Sequence, residues 1–160
     1  MFILQTVYRH QMESNMVIRE SVAEDSQAIA ELSCQLGYPA IASEITERLI
    51  RITEHPDNCV LTAEIDGQVI GWIHAFHTLR VESQPFVEIA GLVVDEEWRG
   101  RDVGKALVHS VIEWAARFPV LNLRVRSNLK RHEAHEFYRH MGFVEIKDQK
   151  IFNLSLPDSQ

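Results

Sequence analysis

The spacing of apolar and polar residues predicts alternating strands and helices from Met16 onwards. Residues 17–19 have the composition of a short strand. In residues 29–36, apolar side chains recur at the spacing of one helix face, and Gly37 ends the pattern. A second amphipathic helix is predicted to begin at Ser43 and to end at a turn that contains proline. The chain therefore opens with a strand and two helices.

The middle of the chain has the pattern of a β-hairpin followed by a third strand. The β-rich runs Val60–Glu64 and Val69–Phe76 flank the dipeptide Asp66-Gly67, which favours the positive φ angles of a tight turn. A further strand is predicted over Phe86–Val94. Two antiparallel strands and a third strand should therefore follow the helices.

The second half of the chain alternates again between the two periods. A long helix is predicted over Val103–Phe118, a strand over Leu121–Val125 and a helix over Arg131–Met141. Two closing strands are predicted over Phe143–Ile146 and Ile151–Leu156. This order predicts an α+β or mixed α/β fold in which helices pack on a sheet.

Length and composition favour a single domain. With 160 residues and 46% hydrophobic content, we expect one domain over residues 16–157, an extension over 1–15 and a tail over 158–160. No apolar run approaches the span of a bilayer and the chain opens without the apolar core of an export signal, so a cytoplasmic protein is expected. In that setting Cys34 and Cys59 should be reduced thiols.

The charge balance restricts the partners. The net charge of −7, from 16 basic and 23 acidic residues, argues against nucleic acid, whose binding depends on clustered cations. The same charge is compatible with attraction of cationic amines. No membrane partner is expected, and the sequence leaves the oligomeric state open, a homodimer included.

Candidate chemistry lies where the strand ending at Val94 meets the helix that starts at Val103. The connecting loop carries Gly100, and Gly104 follows in the first helical turn, so backbone N–H groups can approach an anion closely at a helix N-terminus. Arg99, Arg101 and Lys105 add positive charge there. The pattern predicts a phosphate site, although it matches neither a P-loop nor a dinucleotide fingerprint.

Two segments resemble the GNAT superfamily of N-acetyltransferases. The run from Arg99 to Leu107 is similar to its pyrophosphate motif, Arg/Gln-x-x-Gly-x-Gly/Ala, and the run from Ala134 to Phe143 is similar to its Ala-x-x-Leu/Phe-Tyr-x-x-x-Gly-Phe segment. The likeness covers residues 16–157 and is closest to bacterial members. It implies a mixed, mostly antiparallel sheet of about seven strands flanked by about four helices.

The resemblance also implies acetyl-CoA as the acetyl donor. Backbone groups of one strand would hold the pantetheine arm, and the loop with the first helical turn would hold the pyrophosphate. The residues assigned to acetyl-CoA in this way are Leu92, Val93, Val94, Arg99, Gly100, Arg101, Asp102, Val103, Gly104 and Lys105.

Asp102 stands where the family pattern has glycine. We expect its carboxylate to point away from the phosphates and to cap the following helix by accepting from backbone N–H groups. Aspartate also tolerates a left-handed backbone, which would preserve the turn that glycine usually makes.

The resemblance assigns two catalytic roles. Tyr138 occupies the position of a tyrosine that donates a proton to the leaving thiolate. Glu88 lies six residues before Val94, where several GNAT enzymes carry a glutamate, and is the candidate base. Regular alternation would place Glu88 on the face of Val94 unless a bulge intervenes. Glu64, His74 and His77 are alternative bases, with surface or core roles as the competing interpretation.

Other features are interpreted as structural. His132 and His135 are three residues apart, whereas a metalloprotease helix has two histidines four apart, so no metal is expected. Trp72 is interpreted as a packing residue, with a place in the acceptor pocket as the alternative.

The predicted function is transfer of an acetyl group from acetyl-CoA to a primary amine, with a small cationic amine as the expected acceptor. A protein lysine or N-terminal acetyltransferase and a non-catalytic acyl-CoA-binding module remain as alternatives. Acceptor choice is expected to lie in residues 37–52 and 78–85.

Overall fold

A computed structural model describes residues 15–157. These residues divide into two compact units, which lie within Met1–Arg126 and Ser127–Gln160. Except for Asn15, the predicted extension over 1–15 lies outside the described residues, as does the tail over 158–160. Among the described residues, no helix is both long and apolar enough to cross a membrane.

The first unit is built on one five-stranded sheet whose strands lie side by side in the order of the chain. The strands are β1 (Met16–Glu20), β2 (Asn58–Ile65), β3 (Gln68–Arg80), β4 (Ser83–Val94) and β5 (Leu123–Val125). Neighbours are antiparallel except β4 and β5, which are parallel. The predicted hairpin is confirmed, because Asp66 and Gly67 join β2 to β3 with φ of 50° and 81°.

Helices pack on both faces of this sheet. The three helices of the first unit are α1 (Ser26–Gln35), α2 (Ala42–Thr53) and α3 (Val103–Ala115). On one face, Trp72 of β3 packs against Ile29 of α1 and Leu49 of α2. On the other face, Gly71 leaves room for Val103 and Leu107 of α3, whose side chains lie 3.4–3.5 Å from where its Cβ would be.

The third helix ends earlier than its apolar pattern predicts. α3 stops at Ala115, and Phe118 lies beyond it with its ring stacked on His77 at 4.3 Å and edge-on to Trp114 at 5.0 Å. The apolar residue at position 118 therefore reflects packing against the sheet from the turn after α3, and not a continuation of the helix.

Strand β4 contains an irregularity that decides which side chains share a face. Its pairing with β3 runs from Val94 to Gly91, skips Ala90 and resumes at Ile89. Glu88 consequently pairs with Phe76 and lies on the face of Val93, not on the face of Val94 that regular alternation predicts. The bulge therefore turns Glu88 toward the sheet face that carries Trp72.

Strands β4 and β5 stay together over only three residue pairs. Leu123 to Val125 pair with Val87 to Ile89, and no later residue of β4 has a partner on β5. From Ala90 onwards, therefore, one edge of β4 forms no ladder with any described strand. The two parallel strands therefore separate beyond Ile89.

Over residues 127–157, the second unit contains one α-helix. α4 (His132–His140) forms as predicted, and Gly142 follows it with φ of 89°. The strands predicted over 143–146 and 151–156 are wrong: the described residues after α4 form no strand, so the sheet has five strands and not seven. Alternating apolar residues form a strand only where a neighbouring strand supplies hydrogen bonds. No described strand pairs with these residues, and their apolar side chains are exposed, Phe152 to 89%.

Candidate functional site

The loop between β4 and α3 is fixed by contacts at both ends. Asp95 receives a hydrogen bond on its side chain from the Glu97 amide at 2.9 Å and closes a 3₁₀ turn, Glu96–Trp98. Arg99 Nε donates to the Val94 carbonyl oxygen at 3.2 Å. The guanidinium of Arg101 lies over the Trp98 ring, 5.0 Å from its centroid. The loop is thus held at the end of β4, where the sequence predicts the phosphate site.

Asp102 has the expected backbone but not the expected hydrogen bond. It is the N-cap residue of α3 with φ of 59° and ψ of 9°, a left-handed conformation, and its carboxylate makes no capping hydrogen bond. The predicted side-chain cap is therefore wrong. Capping side chains usually extend from a residue in the β region, from which the oxygen reaches the first helical turn, and the left-handed backbone changes that direction.

The first turn of α3 consequently keeps its donors unpaired. Among residues 15–157, none accepts a hydrogen bond from the amides of Val103, Gly104 or Lys105, and the first intrahelical bond comes from Ala106, at 2.9 Å to the Asp102 carbonyl. Unpaired N–H groups at a helix N-terminus, together with the helix dipole, favour an anion. These residues fit a pyrophosphate group.

The free edge of β4 leads directly into this loop. Leu92, Val93 and Val94 pair with β3 on one side, while their other side faces the gap left by β5. Backbone N–H and C=O groups along such an edge can bind an extended ligand as an added strand would. The candidate phosphate site and the candidate pantetheine edge are therefore continuous.

Glu88 lies further back on β4, where β5 still pairs with it. It is 8% exposed, and Arg126 holds it through Nε at 3.0 Å and through a terminal nitrogen at 3.4 Å. A terminal nitrogen of Arg80 is 3.7 Å from the same carboxylate. The candidate base is thus a buried carboxylate between two guanidinium groups.

The alternative bases have other partners. Glu64 is paired with Arg19 at 2.7 Å on the side of β1. His74 Nε2 lies 3.1 Å from the Asn58 side-chain oxygen, and burial lowers the pKa of His74. His77 is 3.6 Å from Asp57 and stacks on Phe118. These contacts agree with the structural interpretation of the three residues.

Tyr138 belongs to the second unit, where it lies in α4. Its ring meets the rings of Phe137 and Phe143 edge-on, with centroids 5.2 Å and 5.4 Å away. Burial raises the pKa of Tyr138, although the charge of Arg131 acts in the opposite direction. The hydroxyl therefore stays protonated at neutral pH and can donate a proton.

The two histidines at the start of α4 have local contacts. Their rings lie edge-on with centroids 6.0 Å apart, and His135 Nε2 is 3.0 Å from the Asn128 carbonyl oxygen. One ring nitrogen of His135 is thereby engaged within the segment that precedes the helix.

Sequence analysis did not identify the arginines around Glu88. Arg124 and Arg126 lie two residues apart at the end of a predicted strand, a spacing that places them on one face. The sequence alone shows that spacing. Arg80, however, comes from β3 and lies beside the other two arginines only because β3, β4 and β5 pair with one another.

Comparison with known proteins gives a family match over most of the chain. The model of the acetyltransferase (GNAT) family matches residues 23–143. In the aminoglycoside N(6')-acetyltransferase type 1 of Stenotrophomonas maltophilia, 27% of 147 residues are identical, covering 89% of this chain and 95% of that protein.

Two further proteins widen this comparison. The L-amino acid N-acetyltransferase AaaT of Escherichia coli is 30% identical over 110 residues, which is 62% of this chain and 64% of that protein. The solved aminoglycoside N-acetyltransferase AAC(6')-Iy in complex with CoA superposes with a TM-score of 0.79 at 19% identity, covering 91% of this chain and 99% of that one. The superposition shows that the fold is shared.

Proposed function

Because the chain belongs to the GNAT family of acetyltransferases, we propose that it transfers the acetyl group of acetyl-CoA to the primary amine of a small molecule. One observation carries the proposal: among residues 15–157, the first α3 turn has amides without acceptors, and it follows an edge of β4 that forms no ladder with another strand. An extended molecule with a phosphate end fits that arrangement. The CoA complex of AAC(6')-Iy, which shares the fold, supports the same donor.

The loop and the edge divide the binding of acetyl-CoA between them. Gly100, Gly104 and the first-turn amides would receive the pyrophosphate, with Arg99 and Lys105 supplying positive charge. Leu92 to Val94 would bind the pantetheine arm through backbone groups. One of these amides would also polarise the thioester carbonyl, as an oxyanion hole does.

Two side chains would move the protons. Glu88 would accept a proton from the ammonium group of the acceptor, through water, so that the amine can attack. The nitrogen then forms a bond to the acetyl carbon and releases a second proton to water, and the bond from that carbon to sulfur breaks. Tyr138 would donate its proton to the departing thiolate, which leaves as CoA, and would recover a proton from water before the next turnover.

The acceptor is expected to be a small amine that is cationic at its reacting nitrogen. An aminoglycoside and an L-amino acid are the acceptors named for the two relatives described above, and both are small molecules with amino groups. Their names favour a small-molecule acceptor over a protein lysine or N-terminus.

Calorimetry with acetyl-CoA and the variant Gly104→Val test this proposal. The wild-type protein should bind acetyl-CoA without added metal, and release of free CoA should follow when an acceptor amine is added. Valine in the first turn of α3 should block the approach of the phosphates and abolish binding, while the circular dichroism spectrum stays unchanged. Absence of binding by the wild-type protein at millimolar acetyl-CoA would refute the proposal.

A further inference from the structure

Three arginines share one face of the sheet around Glu88. Arg80 lies at the end of β3, Arg124 lies in β5 directly across from Glu88, and Arg126 follows the last residue of β5. Two of the guanidinium groups contact the Phe86 ring: the guanidinium carbons of Arg80 and Arg124 are 5.1 Å and 4.0 Å from its centroid. We name these residues, with Glu88 and Phe86, the arginine cluster.

The cluster carries more positive charge than its carboxylate neutralises. Glu88 pairs with Arg80 and Arg126, and among residues 15–157 no other carboxylate lies within 4 Å of any of the three guanidinium groups. Three positive charges against one negative charge leave a local charge of plus two, in a chain whose net charge is −7. Neutralising Glu88 requires one arginine and not three.

Arg124 is the arginine whose donors are unused. It is half-buried and stacked on Phe86, and no described residue accepts a hydrogen bond from it or pairs with it. A guanidinium group has five N–H donors in a planar fork that matches a carboxylate. Stacking on the ring limits the freedom of the side chain, so less entropy is lost when it binds a ligand.

The cluster is distinct from the phosphate site. Glu88 is six residues before Val94, which corresponds to roughly 20 Å along a strand. The free edge of β4 lies between the two sites, so a donor bound with its phosphates at α3 would extend along that edge toward the cluster. The cluster is therefore placed to contact the acceptor.

We propose that the acceptor is an amine that also carries a carboxylate, that is, an amino acid, and that Arg124 binds this carboxylate with the help of Arg126. The inference rests on the proposed function, because it names the acceptor of that reaction. Neighbouring strands lie about 4.8 Å apart, so the carboxylate at Arg124 would hold the amino group close to Glu88 on β4. Polycationic amines would be repelled by the same charges.

Matched pairs of acceptors test the proposal directly. The common L-amino acids are each compared with their carboxamides, and spermidine serves as the polycation, with free CoA as the readout. At least one amino acid should be acetylated with a kcat/KM about tenfold or more above that of its carboxamide. Replacement of the carboxylate by a carboxamide also lowers the pKa of the amine, so that more of the amine is unprotonated and reactive at neutral pH. This effect favours the carboxamide and therefore acts against the expected result.

The variant Arg124→Gln assigns the preference to one side chain. It should lower kcat/KM for the preferred amino acid by about 10- to 100-fold, mainly through KM, while the carboxamide keeps its rate. Arg124→Lys should recover part of the loss, because it restores the charge without the fork. Arg117→Gln is the matched control: Arg117 stacks on Trp114 at 5.6 Å, away from the cluster, and its loss should leave the preference intact.

The outcomes separate this inference from the function on which it rests. Preference for carboxamides or for spermidine would overturn the inference and leave the acetyltransferase proposal standing, and a carboxamide preference would favour peptide N-termini. An equal loss on both members of a pair in Arg124→Gln would also overturn it, with the unfolding midpoint reporting whether the variant is folded. Failure to bind acetyl-CoA would instead reject the proposed function.

Discussion

Tyr138 is the side chain on which the proposed proton donation depends. Tyr138→Phe should lower kcat by about 10- to 100-fold, because general acid catalysis of the departing thiolate is lost, while acetyl-CoA affinity changes little. Steady-state kinetics with calorimetry would measure both. Phe137→Leu, which changes the neighbouring ring and leaves the hydroxyl in place, is the control. A normal kcat in Tyr138→Phe would remove Tyr138 from the mechanism.

Glu88 should affect the reaction differently from Tyr138. Glu88→Gln removes the proton acceptor but keeps a side chain of the same size between Arg80 and Arg126. We expect the acidic limb of the pH dependence of kcat/KM to shift or vanish. An unchanged profile would indicate that water or another group accepts the proton.

Asp102 is expected to affect the free energy of unfolding through its backbone conformation and not through a side-chain hydrogen bond to the helix. Its left-handed conformation suits glycine, asparagine and aspartate, whereas serine caps helices well but enters this conformation at a cost. Asp102→Ser should therefore lose about 1 kcal/mol of unfolding free energy, and Asp102→Gly should lose none. Chemical denaturation measures both. The reverse order, with serine harmless and glycine costly, would restore the capping hypothesis.

At this scale the sequence predicted the backbone conformation of a candidate site residue, Asp102, better than the contacts of the candidate side chains. The left-handed tolerance of Asp102 follows from chain position and residue type, and the structure has it. The missing hydrogen bond of its carboxylate follows from that backbone conformation, which the residue type permits but does not require, so it could not be predicted. The partners of Glu88 come from the end of β3 and from the residue after β5, which are remote in sequence, so no local pattern shows them.

Among the elements, β4 carries most of the site, and its geometry depends on Gly91. A Cβ on Gly91 would lie 2.8 Å from the Trp72 ring, which is packed against the α1 and α2 side chains. Gly91→Ala should therefore destabilise the protein by about 1–3 kcal/mol. The double variant with Trp72→Phe should recover part of this loss, since the smaller ring leaves space. Thermal denaturation of the single and double variants checks this, and equal losses would contradict the contact.

Local periodicity predicted the elements of the first unit well. β2, β3 and α2 form where alternation or helical spacing predicts them, because one face of each is buried on a core such as Ile29 and Leu49. The strands expected over 143–146 and 151–156 had the same alternation. These two segments form no strand in the structure. Alternation of apolar residues indicates that the side chains suit a strand, but a strand also needs a neighbouring strand to pair with, and the pattern does not specify that partner.

For the whole molecule, net charge describes the surface and not the site. Acidic side chains line a groove along α1, which includes Glu24, Glu31 and Asp95, whereas the arginine cluster is positive. The expectation of a cationic acceptor came from the total of −7. That total could not indicate how the charges are distributed.

The free energy of unfolding of the whole molecule should depend on pH through His74. Burial lowers the pKa of His74, so the unfolded chain takes up a proton below about pH 6.5 while the folded protein resists it. The unfolding free energy should be at its full value above that pH and should fall as the pH drops, by at most about 1.4 kcal/mol per pH unit from this group.

Urea denaturation between pH 7 and pH 5 tests this dependence. His74→Gln should flatten the curve while it keeps a hydrogen-bonding group opposite Asn58. His132→Gln changes an exposed histidine of α4 and should keep the slope of the wild-type protein. Equal slopes in the wild-type protein and His74→Gln would assign the pH dependence to other groups.

The bulge at Ala90 also restricts how the length of this chain can vary. Deletion of Ala90 would remove the bulge and leave Glu88 on the face of Val93, because the two residues would then be four positions apart in a regular strand. Insertion of one residue between Glu88 and Val93, with the bulge kept, would instead turn Glu88 to the face covered by α3, away from its arginines. Descendants of this protein can therefore lose the codon for Ala90 and keep Glu88 beside its arginines, whereas a single-codon insertion in this part of β4 would separate them in one step.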